Sequence, residues 1–183
     1  MGIGTKLSPA LRAFIERQPV YFVATAAPDG RVNVSPKGMS TVRILGDTRI
    51  RWLNLSGSGN ETAAHVRALN RMTLMSCALE GNPMILRVCG QATTSHPRDA
   101  DREEKVADLP GLAGSRQIFD PRLDLVRTSC GSGVPIMRFM KGRSGEELVP
   151  FCEQVGLEGV TGYRQRRNTL GIDGMATGIL DDD

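Results

Sequence analysis

Ser35 and Lys37 stand two residues apart in the run Asn33-Val34-Ser35-Pro36-Lys37-Gly38. In an extended chain, side chains two apart share a face, so a hydroxyl and an ammonium can converge on one oxyanion. Pro36 between them has no N–H to offer a neighbouring strand, which places the run at a sheet edge or a barrel rim. A second anion-binding feature is Gly57-Ser58-Gly59-Asn60-Glu61-Thr62, between a strand-like run and a helical one. A loop of little side-chain bulk exposes backbone N–H groups, and a helix N-terminus favours a phosphate. Asn60 and Thr62 add neutral donors. Glu61 does not help a phosphate and is expected to cap the helix or point away. Either feature also occurs where nothing binds; together they make two walls of a phosphate cradle.

Other chemistries fit less well. Gly57-x-Gly59 with Glu80 downstream imitates a dinucleotide fingerprint. Thr62, however, stands at the third glycine, and the preceding run RIRWLNL alternates instead of being uniformly apolar like a buried parallel strand. Cys77, Cys89, Cys130 and Cys152 form no CxxC pair, and with His65 and His96 they give no zinc spacing. No metal is expected, and the four thiols are expected to be free and buried in a reducing cytosol. Neither histidine accompanies a hydrolase motif. Arg87, Arg138 and the Arg164-x-Arg166-Arg167 cluster are candidates for a further anion contact. No side chain reads as a general acid or base, so no catalytic residue is named.

The elements that position these residues read as follows. Ser8-Pro9 starts a helix that Pro19 ends, with Leu11, Phe14 and Ile15 on its apolar face. Strand-like runs follow at 20–26, 31–38, 40–45 and 49–55, separated by Pro28-Asp29-Gly30 and Gly46-Asp47 turns. Asn60 or Ser58 caps a helix running to about Leu69. Two more strands, 72–79 and 84–94, flank an Glu80-Gly81-Asn82-Pro83 turn. A charged helical stretch runs to about Ala107, and a strand is expected at 122–130, after Gly111, Gly114 and Pro121 break the pattern. Beyond it one helical candidate, 145–155, is interrupted by Pro150. Six or so short strands without strict βαβ alternation indicate a mainly β fold with peripheral helices.

The chain has 183 residues and a net charge of +3, from 23 basic and 20 acidic residues without long like-charge blocks. That balance, with only eight aromatic residues (five Phe, two Tyr, one Trp), argues against nucleic acid as a partner. No window approaches about 18 consecutive apolar residues, so no membrane span is expected. The N-terminal run has no apolar core followed by a small-residue cleavage site, so a cytoplasmic protein is expected. No repeat or long linker divides it; 1–183 reads as one domain, with a core at 10–128 and a C-terminal extension at 129–183.

The order of an apolar strand, a PDG turn, NVSPKG, a hairpin, RIRWLNL, GSGNETAAHV and then MTLMSCALEG…ILRVCGQA resembles the pyridoxamine 5′-phosphate oxidase-like family of FMN-binding split β-barrels. The resemblance covers roughly residues 10–100; SCGSGVPIM (129–137) and RRNTLGIDGMATG (166–178) are similar to the extension of one branch. It implies a six-stranded antiparallel split β-barrel, a homodimer, and FMN at the subunit interface. It implies cofactor contacts at Ser35, Lys37, Gly59, Asn60, Glu61 and Thr62, with the flavin ring near Leu53 and Asn54. The partners it implies are a small-molecule substrate or a nicotinamide donor, acting on an oxidoreductase. The chain departs from the family at two places. Asn60-Glu61-Thr62 replaces a basic pair, and the tail carries Asn168, Asp173 and Gly174 instead of the Arg-x-His that holds the B6 substrate. Pyridoxamine 5′-phosphate oxidation itself is therefore not expected. The alternative is a non-catalytic sensor or carrier of flavin or haem on the same barrel, with His65, His96 or a cysteine as axial ligand.

Overall fold

The computed structural model describes residues 2–180. A short strand, β1 (Gly2–Gly4), precedes helix α1 (Pro9–Arg17). Ser8 caps α1, its Oγ accepting from the Leu11 N–H at 3.3 Å, and Pro9 occupies the first helical position, where no N–H is needed. The helix ends at Gln18, whose extended backbone suits the residue before Pro19. Phe14 and Ile15 turn inward to the main core.

Seven strands then form one continuous antiparallel path: β2 (Tyr21–Thr25), β3 (Asn33–Lys37), β4 (Val42–Ile44), β5 (Ile50–Leu55), β6 (Arg71–Cys77), β7 (Ile85–Ser95) and β8 (Ser115–Ser129). Their spatial order is β3-β2-β6-β7-β8-β5-β4, with β1 added along β8. The split-barrel class is as expected, but among the described residues the strand count is eight and not six: all seven strand-like runs of the sequence form strands, and β1 is added. The excess has a physical origin. Gly2–Gly4 is too short to show alternation and is recruited by Val126–Thr128 of β8. The last strand also begins at Ser115, seven residues before its expected start. Pro121 does not stop it, because an antiparallel ladder asks each residue for at most one donor and Pro121 forfeits only that one. Antiparallel pairing on both sides of β5 leaves no βαβ crossover, which disposes of the dinucleotide fingerprint.

Two helices flank the sheet: α2 (Glu61–Ala68) after β5, and the short α3 (Arg102–Val106) between β7 and β8. Helix α4 (Leu148–Arg167) is longer than expected. Pro150 falls in its first turn, where N–H groups have no intrahelical partner, so it starts the helix instead of interrupting it. The bend comes at Gly156, whose φ of 64° is open to glycine. A small hairpin follows, closed by pairing of Leu170 with Ala176.

The main core gathers Val23, Ile50, Trp52, Leu86, Val88 and Phe119, with Trp52 stacked on Phe119 at a centroid distance of 4.9 Å. A smaller cluster of Leu53, Leu109 and Ile118 lies apart from it. Gly90 sits at a bulge against β8, where any side chain would run into the Arg122 carbonyl.

Candidate functional site

Strand β3 is an edge strand, and its alternation decides which side chains face inward. Val34 and Pro36 face solvent, while Asn33, Ser35 and Lys37 are half-buried on the other face. The missing N–H of Pro36 lies on an edge, where it costs little. Opposite them, β5 delivers Asn54 and Leu55 into the loop Gly57-Ser58-Gly59 and the start of α2. Arg116 comes in from β8. These residues and the tail segment after α4 enclose an open cavity of about 740 Å³.

Of the eight residues expected to hold a cofactor, Ser35, Lys37, Asn54, Gly59, Asn60, Glu61 and Thr62 line this cavity. Leu53 does not. Successive side chains of a strand point to opposite faces, so with Asn54 toward the cavity Leu53 turns away, into the cluster with Leu109 and Ile118. Glu61 faces the cavity instead of pointing away. Asn60 takes the cap position of α2 without capping by its side chain. Its Nδ2 donates instead to the Asn168 carbonyl at 3.1 Å, and its buried Oδ1 has no partner among the described residues.

Thr62 Oγ1 accepts from Asn33 Nδ2 at 3.1 Å, and the same amide donates to Thr25 Oγ1 at 3.2 Å. Thr25 Oγ1 is in turn 3.1 Å from His65 Nδ1. His65 is thus buried behind the cavity, and neither it nor His96 lines it. No cysteine lines it either, and among the described residues no cluster could hold a metal ion. All four cysteines are free, but Cys130, just after β8, is exposed and Cys89 is half-buried, so only Cys77 and Cys152 are buried as expected.

The electrostatics favour an anion. Lys37, Arg116, Arg166 and Arg167 line the cavity against a single carboxylate, Glu61. Burial pushes the Lys37 ammonium down to about 8, the Arg116 charge adds to that, and Glu61 opposes it. The ammonium lies 5.4 Å from the Trp52 ring centroid. Arg116 is only 2% exposed; one guanidinium nitrogen donates to the Gly59 carbonyl at 3.0 Å, and its buried Nε has no partner. Burial and the nearby Arg164 charge lower its proton affinity, with Glu61 again opposing. A buried guanidinium with one unpartnered nitrogen, in a side chain that lines a cavity with three other cations, favours an incoming oxyanion.

Arg116 was not legible in the sequence, because the stretch around Gly111 and Gly114 shows no periodicity. Of the arginines singled out there, Arg87 donates to Ser129 Oγ at 3.1 Å and lies outside the cavity. Arg138 is exposed on the segment after β8. Arg164 is structural: it donates to Ser56 Oγ at 2.9 Å and to the Ser115 carbonyl at 2.7 Å, pinning α4 to the loop. Arg166 and Arg167 do reach the cavity, as do Leu170, Gly171 and Ile172. Asp173 holds the backbone N–H of Arg31 at 2.7 Å and also pairs with its guanidinium.

Residues 7–127 match the profile of the family described as pyridoxamine 5′-phosphate oxidase. The pyridoxamine 5′-phosphate oxidase family protein ustO of Aspergillus flavus is 34% identical over 186 residues, covering 92% of this chain and 74% of that one. Among solved structures, a candidate pyridoxamine 5′-phosphate oxidase of Lactobacillus delbrueckii superposes with a TM-score of 0.53 at 18% identity, over 67% of this chain and 93% of that one. A pyridoxamine 5′-phosphate oxidase-related, FMN-binding protein of Nostoc punctiforme gives 0.50 at 15% identity, over 72% and 89%. These structural likenesses carry the split-barrel fold.

Proposed function

The chain belongs to the pyridoxamine 5′-phosphate oxidase family, and on that premise we propose that it is an FMN-binding oxidoreductase acting as a homodimer. The observation that carries the reading is the unpartnered Nε of buried Arg116, set in a cavity whose cations outnumber its carboxylate. Lys37, Ser35, Thr62 and the first N–H groups of α2 converge on the same space and would hold the FMN phosphate with Arg116. The name of the Nostoc punctiforme neighbour, FMN-binding, agrees with it. Bound FMN would supply hydride and single-electron chemistry; the chain supplies binding, orientation and charge.

The residues fit such a group chemically. A phosphate monoester carries about −1.5 to −2 charge at pH 7 and three acceptor oxygens, which suits the donors gathered here. Glu61 weakens the anion's hold but partly offsets the burial and the Arg116 charge that lower Lys37's proton affinity. Four free cysteines suit a reducing compartment, in line with a cytoplasmic protein. The haem-carrier alternative finds no axial ligand in the cavity, since neither histidine nor any cysteine lines it.

The experiment is titration of apoprotein with FMN, followed through Trp52, the single tryptophan, which lies under Lys37. Saturable quenching and a flavin spectrum in the purified protein are expected. A Soret band, or no FMN binding, overturns the reading. Anaerobic bleaching by NADH or NADPH separates an oxidoreductase from a passive flavin carrier.

A further inference from the structure

Thr62 and His65 stand three residues apart on α2, so they share a face of the helix about one turn apart. Thr25 and Asn33 are direct partners across the β2–β3 ladder, and α2 packs on β2. The four side chains join in one chain of hydrogen bonds. His65 Nδ1 meets Thr25 Oγ1 at 3.1 Å, and Asn33 Nδ2 reaches Thr25 Oγ1 at 3.2 Å and Thr62 Oγ1 at 3.1 Å. Asn33 and Thr62 line the cavity, while Thr25 and His65 are buried behind it.

Counting protons gives each bond its sense. An amide nitrogen only donates, so the Thr25 and Thr62 hydroxyl oxygens both accept from Asn33. The Thr25 proton then has one partner among the described residues, His65 Nδ1, which must accept it. That leaves the proton of a neutral His65 ring on Nε2. At the other end, the Thr62 proton finds no acceptor among the described residues, although the side chain is only 5% exposed. A buried hydroxyl with an unused proton at a cavity wall calls for an acceptor in the cavity. With the imidazole proton on Nδ1 the chain reverses. Thr25 then donates to Asn33, the amide turns its oxygen to both hydroxyls, and Thr62 donates inward.

We propose that His65 is a positioning residue of this site: through Thr25 and Asn33, its Nε2–H tautomer makes the Thr62 hydroxyl a donor to the FMN phosphate. The proposal rests on the flavin reading above, which supplies the phosphate as the acceptor. His65 does not line the cavity and acts only by fixing which way the chain points. A lone threonine at a helix start has no such direction, because its hydroxyl rotates to suit any neighbour. The direction matters here because the adjacent Glu61 brings a carboxylate into the same cavity. Thr62 must therefore offer the phosphate a proton and not a lone pair.

The test reads the tautomer and the affinity separately. NMR of the imidazole nitrogens at neutral pH should show His65 with its proton on Nε2, and His96→Gln leaves His65 as the single imidazole. A proton on Nδ1, in the neutral ring or in the imidazolium, overturns the proposal. Titration with FMN and with riboflavin, which lacks the phosphate, isolates the phosphate's share of the affinity. Thr62→Val should weaken FMN by about tenfold, the worth of one charge-assisted hydrogen bond, and riboflavin by less than about twofold. Thr25→Val, behind the cavity, should weaken FMN about three- to tenfold and spare riboflavin, and Thr25→Ser should restore FMN. The double variant Thr25→Val/Thr62→Val should bind FMN no worse than Thr62→Val alone. Losses that add, or that riboflavin shares equally, show a merely structural Thr25 and overturn the relay. Unchanged FMN affinity in Thr62→Val overturns it as well. Wild-type protein that binds no FMN overturns the flavin reading, and the role of Thr62 with it, whatever tautomer His65 shows.

Discussion

Asn168 donates its side-chain amide to the Gly57 carbonyl at 2.9 Å, joining the C-terminal tail to the glycine loop across 111 residues. The Asn168 carbonyl accepts in return from Asn60 Nδ2 and from Thr177 Oγ1. Tail, loop and the start of α2 are therefore one hydrogen-bonded unit around a residue that is 0% exposed. Asn168→Ala removes the donor to the half-buried Gly57 carbonyl and is expected to cost about 0.5–1.5 kcal/mol of stability. FMN affinity should fall with it, because the loop that offers its N–H groups is no longer held. Urea denaturation with an unchanged midpoint would refute this role.

Lys37 should trade stability against binding. Its ammonium is held at about 8 chiefly by burial, below its ordinary 10.5, so folding disfavours the proton. Between those two values the unfolded chain binds more protons than the folded one, so this group's contribution to stability rises with pH. Lys37→Met removes the penalty of a buried charge and should raise the melting temperature of the apoprotein. The same change should weaken FMN by about ten- to a hundredfold, the worth of a charge-assisted hydrogen bond. In wild type, FMN affinity should decline as pH rises through about 8. Equal FMN affinity for the variant shows that Lys37 does not hold the phosphate.

The Ser35/Lys37 pair was legible because one face of β3 is open, so period-two alternation named the inward residues correctly. Leu53 and Asn54 were not separable that way. Nearly every residue of β5 is buried on one face or the other, so hydrophobicity carries no parity there. The split barrel was legible from its turns: Gly30 and Gly81 take the positive φ that their loops need. Asn168 had no local signal at all, since its meaning is a contact with residue 57. Arg116 was hidden for the same reason, in a strand whose start lies among glycines. What the sequence conceals is the long-range polar contact, and here that contact is the back of the site.

Asp120 should be the acid-sensitive brace of the barrel. It is 4% exposed and accepts from Arg49 at 2.6 and 2.7 Å and from Arg51 at 3.1 and 3.2 Å. Burial alone would raise its carboxyl, but the two guanidinium groups outweigh it and hold it below the ordinary 3.8. Its contribution is therefore complete above that value and is lost as pH falls through the lowered one. Asp120→Ala removes the carboxylate shared by Arg49 and buried Arg51, leaves Arg51 only a 3.9 Å contact with Asp108 as an ion pair, and is expected to cost about 3–5 kcal/mol. The variant's stability should also fall less steeply in acid. Denaturation curves at neutral and acid pH measure both effects, and a parallel loss would contradict the titration argument.

The single chain leaves large apolar side chains uncovered at Val32, Ile136, Met140 and Leu157, between 70% and 86% exposed. A twofold dimer of about 40 kDa, twice the chain mass of 19.8 kDa, is expected. Light scattering that finds the single-chain mass with flavin fully bound would remove the interface from the functional model.

Turnover of pyridoxamine 5′-phosphate is the sharpest division between this chain and its family's name. That substrate brings a second phosphate, which needs an anion pocket of its own beside the FMN phosphate. The tail supplies no histidine two residues after an arginine; Asn168, which follows Arg166 at that spacing, is buried and committed to Gly57 and Asn60. Glu61 stands in the cavity, and its carboxylate repels a second phosphate. Sites built for a given polar partner discriminate by several kcal/mol when a group is missing. Hydride delivery from NADH or NADPH needs access to the flavin ring more than a phosphate clamp, so flavin bleaching should survive where amine oxidation does not. Hydrogen peroxide release with pyridoxamine 5′-phosphate is the assay, run beside anaerobic bleaching with each nicotinamide. Peroxide at about 1 per second or faster, an ordinary enzymatic rate, would contradict the charge argument and restore the B6 substrate.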